Sequence, residues 1–216
     1  METTDESAYG FEFFQERVGD VRIPNFKGAD TSIAGQYTLR SVYGIPILEF
    51  SGNETYGNPQ GITFWWVGIE WHTPYPVTES VFKDMRIWHV SRYPVYGYHG
   101  NKIVFDGLQV YGDIANVNGN SRFLWYGDYM NVDAVIKNAT IVGVNLAPPY
   151  AAYGITRIEN SFIATKSGIT IYTSGAPGAS PGRVFNRREV LSNVRYGALA
   201  GYPLRSISMA YVEWGA

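Results

Sequence analysis

The chain has 216 residues, 19 acidic and 17 basic side chains, a net charge of −2 and no cysteine. That length suits one large domain or one elongated solenoid. The charge excludes the basic field that nucleic acid or anionic lipid would need, and the missing cysteine removes disulfides, thiolate catalysis and Cys-ligated zinc.

In chain order, the start METTDESAYGFEFF has no basic stretch leading into an apolar one, so no signal peptide is visible. No run of about 18 apolar residues marks a membrane span anywhere. Residues 1–60 show no repeat and read as an irregular segment that caps one end of a stack. Next comes GITFWWVGIEWHTP, in which WVGIEW from Trp66 looks like a strand of an early coil.

A repeat then begins. FKDMRIW from Phe82, FDGLQVY from Phe105, IKNATIV from Ile136 and IENSFIA from Ile158 align without gaps, and a weaker copy, LSNVRY, starts at Leu191. The first column holds Phe82, Phe105, Ile136, Ile158 and Leu191, all large and apolar. Five residues later stand Ile87, Val110, Ile141, Ile163 and Tyr196. The third column, Asp84, Gly107, Asn138, Asn160 and Asn193, contains only residues that accept a tight bend or a left-handed conformation. The second column alternates in sign through Lys83, Asp106, Lys137 and Glu159, as outward neighbours on adjacent rungs would.

Short strands separated by bends at such a period predict an all-β fold, a right-handed parallel β-helix over residues 61–216. Asn residues stacked one rung apart would bond amide to amide. An antiparallel sandwich is the competing fold, but it has no reason to keep a turn residue in one column. Residues 112–135 and 164–190 exceed the coil and are expected to leave the stack as loop insertions.

YGYHGNKIVFDGLQVYGD (Tyr96–Asp113) resembles the coil signature of the pectate-lyase-like superfamily of right-handed parallel β-helices. The longer stretch RIWHVSRYPVYGYHGNKIVFDGL is most similar to the β-helix part of bacterial secreted and cell-surface hyaluronidase-like proteins. The resemblance covers roughly residues 60–200 and implies a secreted or cell-surface setting within an exported protein. It also implies a polysaccharide-active protein, a lyase or glycan-cleaving enzyme working in a lateral groove. The alternative is a non-catalytic glycan-binding or adhesive solenoid. Polygalacturonase-like hydrolases on this fold carry Asn-Thr-Asp and Asp-Asp, and neither occurs here.

For a lyase acting on uronic acids, a base removes a proton beside a carboxylate that a cation neutralises. The expected catalytic set is His89 or His99 as base, Lys102 and Arg92 as cations, and Tyr98 as proton donor. Each of these residues also reads as an ordinary outward rung or turn residue. Trp88, Tyr96, Tyr111, Trp125 and Tyr126 are the expected sugar-binding platforms, with coil-to-coil ring stacking as the structural alternative. No metal or cofactor is expected. Calcium, through Asp106, Asp113, Asp128 and Asp133, is the one alternative, because oxygen ligands suffice for it.

Overall fold

The computed structural model describes residues 8–14, 20–68, 78–98, 100–112, 122–131, 133–146, 150–173 and 186–211. Among them there is no α-helix, only one 3-10 turn at Val42–Gly44, and no helix long and apolar enough to cross a membrane. The described residues are all-β, with two large sheets of parallel strands and one antiparallel two-stranded sheet.

Strand β1 (Tyr9–Phe14) is followed by the antiparallel hairpin β2 (Asp20–Pro24) and β3 (Tyr37–Ser41). From there the strands come in threes. The first triplet is β4 (Phe50–Ser51), β5 (Glu54–Tyr56) and β6 (Gln60–Trp65). The second is β7 (Ser80–Lys83), β8 (Arg86–Val90) and β9 (Tyr93–Tyr98). The third is β10 (Ile103–Asp106), β11 (Gln109–Gly112) and β12 (Arg122–Asn131). The fourth is β13 (Ala134–Lys137), β14 (Thr140–Val142) and β15 (Asn145–Leu146). β16 (Tyr150–Glu159), β17 (Phe162–Ala164) and β18 (Ile169–Thr173) form the fifth, and β19 (Asn186–Ser192), β20 (Arg195–Tyr196) and β21 (Ile207–Tyr211) the sixth.

Strands at the same place in successive triplets pair side by side and parallel. The first members run β4-β7-β10-β13-β16-β19 and the second members β5-β8-β11-β14-β17-β20. The third members begin β6-β9-β12, with β1 added beside β6, and β12 pairs onward with both β15 and the start of β16.

The sequence columns are rows of paired residues. Phe50, Phe82, Phe105, Ile136, Ile158 and Leu191 face one another in consecutive pairs. So do Thr55, Ile87, Val110, Ile141, Ile163 and Tyr196. The inner members of both rows, from Phe82 to Ile158 and from Ile87 to Ile163, are fully buried in one continuous core. Each such side chain contributes about 1.5–3 kcal/mol.

The bend between the two rows has its own ladder. Gly52, Asp84, Gly107, Asn138, Asn160 and Asn193 all have positive φ, between 49° and 77°. Their backbone groups do not go unpaired: Asp84 N–H donates to Asp106 O, Asn138 N–H to Glu159 O and Asn160 N–H to Ser192 O, over 2.8–3.1 Å. The alternating charges of the second column are register neighbours, and one pair of them meets directly, with Lys137 Nζ 3.2 Å from Asp106 Oδ2.

Two boundaries differ from the sequence reading. The stacked pattern starts at Phe50, inside the stretch expected to be irregular, and β1 also pairs in parallel with β6. Thr55 hid the first triplet, because it puts a hydroxyl in an apolar column. That hydroxyl is buried and accepts a 2.6 Å hydrogen bond from the Asn58 amide. The two expected insertions are also not wholly loops: β12 lies in the first, while β18 and the start of β19 lie in the second. These third-place strands differ in length from triplet to triplet, so no fixed column marks them in the sequence.

Candidate functional site

On β1, β6 and β9, alternate side chains go to opposite sides of the sheet. Phe11, Phe13, Ile62, Phe64 and Val95 join or pack against the core. From Phe11 and Ile62 onward the alternate set faces out as two cross-strand rows, Glu12, Thr63 and Tyr96, then Phe14 with Trp65. At the strand starts the row Tyr9, Gln60 and Tyr93 lines the same face, although it lies two residues before Phe11, Ile62 and Val95. Together with Arg92 these rows line an open groove of about 400 Å³.

Glycine lets the floor form. A Cβ on Gly61 would stand 2.5 Å from the Pro94 carbonyl oxygen and 2.7 Å from the Ile87 side chain. On the floor, buried Thr63 donates its hydroxyl to Gln60 Oε1 at 3.3 Å. The rings form the walls. Phe14 stacks on Trp65 (centroids 6.2 Å apart, planes at 26°), and Trp65 stacks on Tyr96 (6.1 Å, 28°). Tyr93 tilts against Tyr96 at 5.4 Å, and the Arg92 guanidinium lies over the Tyr93 ring, 5.0 Å from its centre. Phe14 is 53% exposed and Tyr9 39%, so ring surface remains open to a ligand. Among the described residues, neither Glu12 nor Arg92 makes an ion pair.

Of the expected catalytic residues whose side chains are described, only Arg92 lines this groove. His89 sits at an irregularity in the β8–β11 pairing, where Gly112 meets Val90 rather than His89. It has φ of 51° and is exposed, with its ring 5.0 Å from Tyr56. Lys102, expected beside Arg92, instead makes a 2.8 Å ion pair with Asp133. Tyr98 is in β9 opposite Trp65, but its side chain lies outside the described residues, as does the whole of His99.

The expected platforms divide. Tyr96 lines the groove. Trp88 and Tyr111 stack on each other across adjacent rungs, 4.6 Å apart with planes at 11°, so each covers a face of the other. The backbones of Trp125 and Tyr126 pair with Gly97 and Tyr98, and their side chains lie outside the described residues.

The carboxylates considered for calcium have structural partners where they are described. Asp106 is bonded by Lys137 and by the Asn138 amide. Asp133 accepts from Lys102 Nζ and from the Ile155 N–H. Asp113, and the side chain of Asp128, lie outside the described residues. No group of three or more His, Asp or Glu side chains able to hold a metal occurs among the described residues. Partial burial works against the ionised form of Asp133, yet the Lys102 ammonium and the Ile155 N–H outweigh it and hold the carboxyl below its usual range. Asp106 is lowered in the same way, by Asn138 and Lys137 against desolvation.

The sequence reading did not assign Tyr9, Glu12, Phe14, Gln60 and Thr63 to a site. Alternation in FEFF and ITFW was a signal available for Glu12, Phe14 and Thr63, but not for Tyr9 and Gln60 or for the pairing across some fifty residues. No protein-family model, no curated protein and no solved structure matches this chain.

Proposed function

We propose that the stacked triplets wind as a right-handed parallel β-helix, as in the pectate-lyase-like superfamily the repeat resembles, and that the chain binds a glycan in the groove on β1, β6 and β9. Parallel pairing, in register, of six successive triplets supports the winding. One observation carries the function: a concave outer face joins five aromatic rings to a floor and rim of hydrogen-bonding groups. Sugars need both, because their C–H faces pack on rings while their hydroxyls require directed donors and acceptors.

Binding without cleavage fits this groove better than hydrolysis. Glycoside hydrolysis uses a pair of carboxyl groups, and Glu12 is the only acid among the described residues lining the groove. Of the cations and histidine bases expected for a lyase, Lys102 is held by Asp133 and His89 lies against Tyr56, which leaves Arg92 alone in the groove among the described residues.

The test is affinity electrophoresis and calorimetry against a panel of soluble polysaccharides, with Trp65→Ala and Tyr93→Ala variants checked for folding by circular dichroism. Retardation by at least one polymer, weakened about tenfold or more in folded variants, is expected. Retardation that both folded variants retain in full would remove the groove from the account. Release of unsaturated uronic products by the native chain would replace binding with lyase activity.

A further inference from the structure

We infer that the groove selects an uncharged sugar presenting adjacent hydroxyls, held between Glu12 and Arg92. This rests on the glycan-binding reading and adds the ligand class to it.

Glu12 and Arg92 are the only charged side chains among the described residues lining the groove, and their charges cancel. Neither has an ion-pair partner among the described residues. An unpaired carboxylate accepts from two neighbouring hydroxyls at once, and a guanidinium fork donates to the oxygens of such a pair. Arg92 is steadied for this by the Tyr93 ring beneath it. Gln60 and Thr63 extend the polar floor between them without adding charge.

The charges of the groove give an anionic polymer no net attraction, since Glu12 offsets Arg92. A polyuronate entering the groove would meet the Glu12 carboxylate as well as the Arg92 guanidinium, and the repulsion from Glu12 would act over about 10 Å at ordinary salt.

The experiment compares neutral polymers (dextran, mannan, mixed-linkage glucan) with acidic ones (polygalacturonate, alginate, hyaluronan) by affinity electrophoresis and calorimetry. Salt is varied from about 0.02 to about 0.3 M. The inference expects binding confined to neutral polymers and changed less than about twofold by salt. It further expects Glu12→Gln and Arg92→Gln, both exposed and harmless to folding, each to weaken binding about tenfold. Salt-sensitive binding of acidic polymers alone would overturn the neutral-sugar inference and leave the groove as the binding site. Full affinity in both variants, with binding lost in Trp65→Ala, would overturn the roles of Glu12 and Arg92. If no polymer binds the native chain, the glycan reading fails and this inference fails with it.

Discussion

Asn193 donates its side-chain amide to Asn160 Oδ1 over 3.0 Å, while the two residues hold left-handed φ values of 50° and 49°. Further along the same column Asn138 donates to Asp106 Oδ1 at 2.7 Å. The residue type therefore serves twice. Asparagine tolerates the left-handed bend that each triplet needs, and its amide joins one bend to a neighbouring rung.

Asn160→Ala removes both contributions. The left-handed conformation costs a residue with a Cβ about 1–2 kcal/mol, and the exposed amide bond adds about 0.5 kcal/mol. Urea denaturation is expected to give a total loss of about 1.5–2.5 kcal/mol. Asn160→Gly is expected to recover most of it, because glycine adopts this φ without strain. Equal losses in the two variants would mean that the conformation is not what asparagine supplies here.

The bends and the two apolar rows were legible because each rung repeats the same local demand: an inward apolar residue, a left-handed bend, a second inward residue. Phe82, Phe105, Ile136 and Ile158 reveal their alignment through residue type alone. The groove was not legible in that way. β1 reaches β6 across some fifty residues, and no local pattern encodes a pairing of that range. Grouping His89, Arg92 and Lys102 by nearness in sequence also misled, since the chain turns twice between them. Arg92, between β8 and β9, opens onto the groove, His89 leans on Tyr56, and Lys102 reaches Asp133 ahead of the fourth triplet.

Asp133 ties several rungs together, and its effect is pH-dependent. Its N–H donates to Asn101 Oδ1, its carboxylate accepts from Lys102 and Ile155, and its pKa lies below the ordinary value. A carboxylate with a depressed folded-state pKa stabilises fully above the unfolded value of about 3.9, and that stability is lost as pH falls through the folded value. Asp133→Asn is therefore expected to lower the thermal midpoint at pH 7, and the gap to the native chain should close below about pH 4. A gap that persists unchanged to the lowest pH at which the chain folds would assign the loss to shape rather than charge.

Phe105 is fully buried and stacks on Phe82 with centroids 5.1 Å apart and planes at 27°. Truncation to alanine leaves a cavity between two rungs that backbone ladders on both sides keep from collapsing. Phe105→Ala is expected to cost about 3–5 kcal/mol and Phe105→Leu about 1–2 kcal/mol, read from the urea midpoint at constant slope. A Phe105→Ala loss below about 1 kcal/mol would contradict a packed row at this position.

Two tryptophans separate structural stacking from ligand stacking. The Trp88 ring faces Tyr111 at 4.6 Å, with planes nearly parallel, on a side of the stack away from the groove. Trp65 lines the groove beside exposed Phe14. A double-mutant cycle on Trp88 and Tyr111 is expected to return a coupling of about 0.5–1.5 kcal/mol in unfolding free energy. Trp88→Ala should leave glycan affinity unchanged so long as the chain remains folded. Trp65→Ala should lose affinity while keeping the Trp88–Tyr111 coupling intact, because the two ring pairs share no partner. Loss of glycan binding in folded Trp88→Ala would mean that the ladder of second-place strands, rather than the face built on β1, β6 and β9, meets the sugar.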